Sequence, residues 1–201
     1  IVIEMDTPGG LGSSMREIVQ AMLSLEIPVI VYVSPPGASA DSAGAVIGQA
    51  ADVLAMAPQT NIGSSTPIQA TGQDFQDDLR RKVVNDAAAY VGELAREHGR
   101  NAAAAEAMVR QASNYGARKA VAIGVADELA VDLPTLLDEI DGRVVQPKGL
   151  TLSTAGATLE RVEMSLWKRA LGLLIDPNII TLMLSLGVVG LLVELWNPGL
   201  I

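Results

Sequence analysis

Three short aliphatic runs, residues 1–5, 29–33 and 53–57, alternate with segments whose apolar residues recur at helical spacing. Each run is too short for a helix, rich in Val and Ile, and almost free of polar alternation. It therefore reads as a strand buried on both faces. Between the first two, over residues 13–25, Met15, Ile18, Val19, Met22 and Leu23 fall on one helical face, with Ser13 or Ser14 as the N-cap. Between the second and third, a loop at residues 34–37 leads into a small-residue helix that runs to about Ala50. Strand, turn, helix and strand in repetition are the mark of right-handed crossovers on a parallel sheet, so the fold class is α/β.

Beyond Pro58 the pattern turns helical. Residues 63–73 read as loop and residues 77–97 as a long helix, closed by Gly99 just past its end. Further helices are expected over 102–111, 117–122 and 133–140, with residues 124–129 a turn into an edge strand. From 143 to 163, short alternating stretches containing Thr and Gly suggest a linker with some β character. Residues 179–193 then carry no charge. With Leu195 and Trp196 this run reaches the lower limit of about 17 residues for a spanning helix, and Trp suits a membrane interface. A buried amphipathic or hairpin helix is the bland alternative. The chain thus divides into residues 1–142, a linker over 143–169, and the start of a transmembrane region over 170–201. It opens on a strand without an initiator Met, and both ends read as cut from a longer protein.

Composition removes several classes of function. A net charge of −9 argues against nucleic acid and against anionic lipid, which both demand basic patches. With no cysteine and one histidine, His98, thiolate metal sites, cysteine nucleophiles and paired-imidazole sites are excluded. Asp74, Asp77 and Asp78 suit a solvated helix start better than a metal site, and no cofactor is called for.

Few residues remain for chemistry. Ser42 stands at the start of a helix among Ala40, Ala43 and Gly44. It either caps that helix or presents its hydroxyl where free amides can stabilise an oxyanion. The spacing is not that of the Gly-x-Ser-x-Gly turn, because Ala40 occupies the first position. Pro8-Gly9-Gly10 follows a strand end, where ligands gather in parallel sheets; it is a plain turn or a backbone donor site. Lys82, beside Arg80 and Arg81, is part of a solvated cationic face or, if desolvated, a neutral general base. His98 sits at a helix C-terminus, where a cationic ring is favoured by the dipole. Asp41, next to Ser42, is expected to face solvent.

Taken together, Asp6-Thr7-Pro8-Gly9-Gly10, Val31 to Ala38, Asp41-Ser42-Ala43-Gly44, Met56-Ala57-Pro58, Asn61-Ile62-Gly63 and Gly99-Arg100-Asn101 resemble the NfeD family. These are membrane-bound serine proteases of the ClpP class, related to signal peptide peptidase A. The resemblance continues through Ala120 to Asp127, Asp176-Pro177-Asn178 and Glu194 to Gly199, and so covers nearly the whole chain. It implies a ClpP/crotonase-like β-α-β spiral lacking its first strand and helix. It also implies a Ser-Lys dyad of Ser42 and Lys82, oxyanion donors at Gly9 or Gly10 and Ala43, and substrate strand addition beside Leu11. The implied partner is a peptide or membrane-protein substrate, of which stomatin-like proteins are one kind. A homo-oligomer, with the protease domain on the extracytoplasmic side, is implied as well. A crotonase-type acyl-CoA enzyme and a non-catalytic membrane scaffold are the competing readings of the same fold.

Overall fold

The computed structural model describes residues 1–68, 76–163, 165–175 and 177–196. Residues 69–73 of the expected loop, Asp74, Asp176 and residues 197–201 lie outside them. The chain divides into two compact units, Ile1–Ala157 and Thr158–Ile201.

In the first unit the aliphatic runs form β1 (Val2–Met5), β2 (Ile30–Val33) and β4 (Val53–Met56), as their lack of polar alternation predicts. They pair in parallel, in register from Val2 through Ile30 to Val53. The edge strand β7 (Glu128–Leu129) joins β4 on its far side. The order is β1-β2-β4-β7. Successive residues of β2 and β4 point to opposite faces, and both faces are filled. Val31, Val33, Leu54 and Met56 belong to one apolar cluster; Ile30, Tyr32, Val53 and Ala55 belong to another.

The first cluster is covered by α1 (Gly12–Ser24), α2 (Ala43–Gln49), α3 (Asp77–Glu97), α4 (Ala102–Arg110) and α5 (Ala117–Ala122). The second packs against α6 (Leu133–Glu139), whose N-cap Asp132 accepts a hydrogen bond from the Thr135 amide at 2.9 Å. Leu11, not Ser13 or Ser14, is the N-cap of α1, and no side chain caps it. The helix starts one residue before those serines and takes them into its first turn.

A second sheet escaped the periodicity argument. Strands β3 (Ser39–Asp41), β5 (Asn61–Gly63) and β6 (Asn114–Gly116) form it in the order β3-β5-β6, the first pair parallel and the second antiparallel. It is joined to the end of β1 by a bridge between Thr7 and Ala40, where the Thr7 amide donates to the Ser39 carbonyl at 2.7 Å. Within the stretch expected as linker, β8 (Val144–Val145) and β9 (Leu150–Thr151) form a hairpin, and Val145 and Leu152 are buried in the second cluster.

The second unit contains α7 (Leu166–Ile175) and α8 (Pro177–Trp196). At 1.5 Å per residue, α8 spans about 30 Å, the thickness of a bilayer's hydrocarbon core. Its window Ile179–Trp196 has a mean hydropathy of 2.2 and is not buried within the chain. Among the described residues it is the one helix with the length and composition to cross a membrane.

Candidate active site

Ser42 lies between β3 and α2 with φ 54° and ψ −115°. A residue with a Cβ adopts such a backbone only when its surroundings enforce it, at a cost of about 1–3 kcal/mol. Two contacts do so. The Ser42 amide donates to the Gly63 carbonyl at 2.9 Å, and the Ser42 carbonyl accepts from the Ser65 hydroxyl at 2.9 Å. Ser42 occupies the N-cap position of α2, yet its side chain makes no capping hydrogen bond. The bland reading of this serine as a helix cap is therefore wrong. A strained serine at a strand-to-helix turn is also the device of the hydrolase turn, reached here by a different sequence.

The turn after β1 lies against this hydroxyl. A Cβ placed on Gly9 would stand 2.7 Å from Ser42 Cβ and 3.1 Å from its Oγ, and Gly9 has φ +125°. Only glycine fits there, on both steric and backbone grounds. Thr7 fixes the turn: its hydroxyl accepts from the Gly9 amide and donates to the Gly9 carbonyl, both at 3.1 Å. That engages the Gly9 N–H, so of the two glycines expected as donors, Gly10 keeps the amide that Thr7 does not hold. Ala43 is the first residue of α2, where a helix leaves its amides without intrahelical partners. Gly44 lets α2 sit on the strand end, since a Cβ there would stand 2.5 Å from Thr7 Cγ2.

Ser42 opens into a cavity of about 400 Å³. Gly10, Gly12 and Ala43 line it with Ser42; Met15, Val46, Ile68, Val83 and Val109 supply apolar walls. Arg16 stacks over the Tyr90 ring at 4.8 Å from its centroid, and both line the cavity. Leu11 is exposed and is not part of the lining. Lys82 is also exposed. It lies on the flank of α3 beside Val83, and the cavity-facing residues of that helix are Val83, Asp86, Ala87 and Tyr90.

Three arrangements were not expected from the sequence. Asp41 does not face solvent freely: it is half-buried, and its Oδ1 accepts from the side-chain amides of Asn61 at 3.0 Å and Asn114 at 2.8 Å. His98 is no cationic cap. It is buried, burial pushes its pKa down from 6.5, and its Nδ1 lies 2.8 Å from the Leu94 carbonyl. Arg100 is buried and supports α2 from behind. Its guanidinium donates to the carbonyls of Gln49 at 3.0 Å and Ala51 at 2.7 Å, and it pairs with Asp127 at 2.6 Å. It thus satisfies carbonyls at the C-terminal end of the helix that begins at Ser42. An arginine following Gly99 gives no hint of this, because its partners lie 27 to 52 residues away.

The model of the NfeD1b N-terminal domain matches residues 1–140. The chain belongs to the NfeD family. The membrane-bound protease PH1510 of Pyrococcus horikoshii is 36% identical over 204 residues, which cover 99% of this chain. The NfeD chain spans about half the length of the curated relatives it matches, 46% and 44%. A structure of the 1510-N membrane-bound stomatin-specific protease from the same organism, a lysine-to-alanine mutant with a substrate peptide, is similar at a TM-score of 0.79 and 34% identity. That match covers 88% of this chain and 83% of the other, and a serine-to-alanine mutant of the same protease is also similar. ClpP1 from Listeria monocytogenes matches at a TM-score of 0.52 and 16% identity over 66% of this chain and 74% of its own, a likeness of fold alone.

Proposed function

We propose that this NfeD domain is a membrane-tethered serine endopeptidase in which Ser42 is the nucleophile and Lys82 the general base. The observation that carries the reading is the strained, uncapped Ser42, set against a glycine turn at the mouth of an apolar cavity. Neutral Lys82 takes the Ser42 proton, Oγ attacks a peptide carbonyl, and an acyl-enzyme forms. The Gly10 and Ala43 amides receive the oxyanion. Lys82 then gives its proton to the leaving amine, and water releases the acyl group. For this the Lys82 side chain turns from its exposed position into the cavity beside Val83.

The substrate lies extended beside Pro8 to Leu11 and pairs by its main chain, with apolar side chains entering the cavity. The substrate name carried by the 1510-N protease supports a stomatin-like membrane protein as the substrate here. The likeness of fold to ClpP1 supports reading the β-α-β units as a ClpP/crotonase-like spiral; a homo-oligomer goes with the family resemblance alone. The assignment of residues 1–142 to the protease and 170–201 to the start of the membrane region goes with this reading, with the linker expected over 143–169 shortened by the hairpin that packs on the first unit. So does an extracytoplasmic protease domain anchored through α8.

The test is hydrolysis of a quenched-fluorescent apolar peptide by the wild type and by Ser42→Ala and Lys82→Ala. Each variant is expected to lose at least about 10³-fold in kcat while keeping the wild-type circular dichroism spectrum. Full activity in Ser42→Ala would end the proposal. Retention in Lys82→Ala with loss in Asp86→Asn would move the base to Asp86, which already lines the cavity.

A further inference from the structure

We propose that Asp41 is a positioning residue: its carboxylate ties together the three strands that force Ser42 into its strained backbone. The inference rests on the peptidase reading above and adds a role to a residue outside the dyad and the oxyanion donors.

The argument begins with register. Asp41 on β3 pairs with Gly63 on β5, and Gly63 pairs with Asn114 on β6, so the three form one row across the sheet. Strands two apart are separated by about 10 Å, normally too far for an aspartate and an asparagine to meet. Here the middle residue has no side chain, and β6 closes over it. A Cβ on Gly63 would stand 2.7 Å from Asn114 Cα and 2.2 Å from the Ser113 carbonyl oxygen. Asn114 crosses that gap to Asp41 Oδ1 at 2.8 Å and also reaches the Ser64 hydroxyl at 2.9 Å. Asn61, two residues before Gly63 and hence on the same face of β5, brings a second amide to the same Oδ1 at 3.0 Å.

The consequence for Ser42 is direct. Both groups that hold its peptide, the Gly63 carbonyl and the Ser65 hydroxyl, sit at the end of β5 and just after it. Their position relative to β3 sets the Ser42 backbone, and hence where Oγ stands against Gly9. Strands of three residues give little pairing of their own to fix that position. The Asp41 carboxylate, accepting from one side chain on each of the other two strands, supplies the missing constraint.

The test compares Asp41→Ala with Asp41→Asn in the full chain. The asparagine oxygen can still accept both amides; alanine cannot. For the quenched-fluorescent peptide, Asp41→Ala is expected to lower kcat on the order of 10- to 100-fold with KM nearly unchanged, and Asp41→Asn to restore most of the loss. Amide hydrogen exchange gives a readout independent of turnover. In Asp41→Ala, exchange at Ser42 should rise at least about 10-fold relative to Val31 in the large sheet, whereas a general loss of stability moves both alike. Wild-type kcat and Ser42 protection in Asp41→Ala would overturn the proposal. So would an equal fall in kcat in Asp41→Asn, since charge rather than acceptance would then be the cause. If Asp41→Ala does not fold, the double variant Asn61→Ala/Asn114→Ala takes its place, with the same expected and overturning results. A wild type that cleaves no peptide removes the protease reading, and exchange at Ser42 then decides the role of Asp41 alone.

Discussion

In the four-stranded sheet every residue of β2 and β4 is buried, and apolar clusters fill both faces. The three-stranded sheet is half-open: β6 is largely exposed, and the side chains that cross it are Asp41, Asn61 and Asn114. One region is held by area removed from water, a force without direction that tolerates small displacements. The other adds to its buried Ala40 and Ile62 a set of hydrogen bonds and a close approach of backbone to glycine, which depend on distance and direction. Ser42 is attached to the second region. The large sheet therefore supplies most of the stability and the small sheet most of the geometry.

That division can be broken by experiment. Leu136 is fully buried on the sheet face opposite α1–α5, so Leu136→Ala should cost about 2–5 kcal/mol in urea unfolding, with kcat per folded molecule unchanged. A fall in kcat matching the fall in stability would show that the two regions are not separable. Gly63→Ala is the converse case. Its φ of +148° and its contact with the Ser113 carbonyl should cost about 2–3 kcal/mol and reduce peptidase activity by more than the stability loss explains. Activity surviving in that variant would detach Ser42 from the small sheet.

The strain at Ser42 can be read by itself. Ser42→Gly should be about 1 kcal/mol more stable than Ser42→Ala in thermal unfolding, because glycine accepts φ 54° and ψ −115° without a steric penalty. Equal stabilities would mean that the surroundings impose no strain there.

The smallest effect concerns His98. Burial lowers its pKa below 6.5, so the folded protein prefers the neutral ring. Its contribution is fully present well above pH 6.5. It declines as the pH falls below 6.5, where the unfolded chain takes up a proton before the folded one does. Urea unfolding between pH 7 and pH 5 should show this decline in the wild type and a shallower one in His98→Gln. Identical slopes would place the ring in an environment no different from water.

How far the sequence reaches follows the same line. Strands β1, β2 and β4 were legible because burial on both faces writes itself as an unbroken aliphatic run. The helix Asp77–Glu97 and its Gly99 stop were legible because cap and periodicity are local. The strands Ser39–Asp41, Asn61–Gly63 and Asn114–Gly116 were not, since three residues carry no period. Which face of the helix Asp77–Glu97 turns to the cavity was not legible either: Val83, Asp86, Ala87 and Tyr90 line it, and packing against the rest of the unit sets that choice.

The sequence by itself determined the parallel α/β class, the apolar helix near its end, and the short list of residues able to do chemistry. Each of these depends on residue type and near spacing. Only the tertiary structure decided that Ser42 is strained rather than capping, that Thr7 engages the Gly9 amide, and that Asp41 binds two asparagines. It also decided that Arg100 closes the far end of the Ser42 helix. Those outcomes are set by groups brought together from 20 to 73 residues apart in the cases of Asp41 and its partners. A hydrogen bond's worth lies in its geometry, and no local reading of a chain contains that geometry.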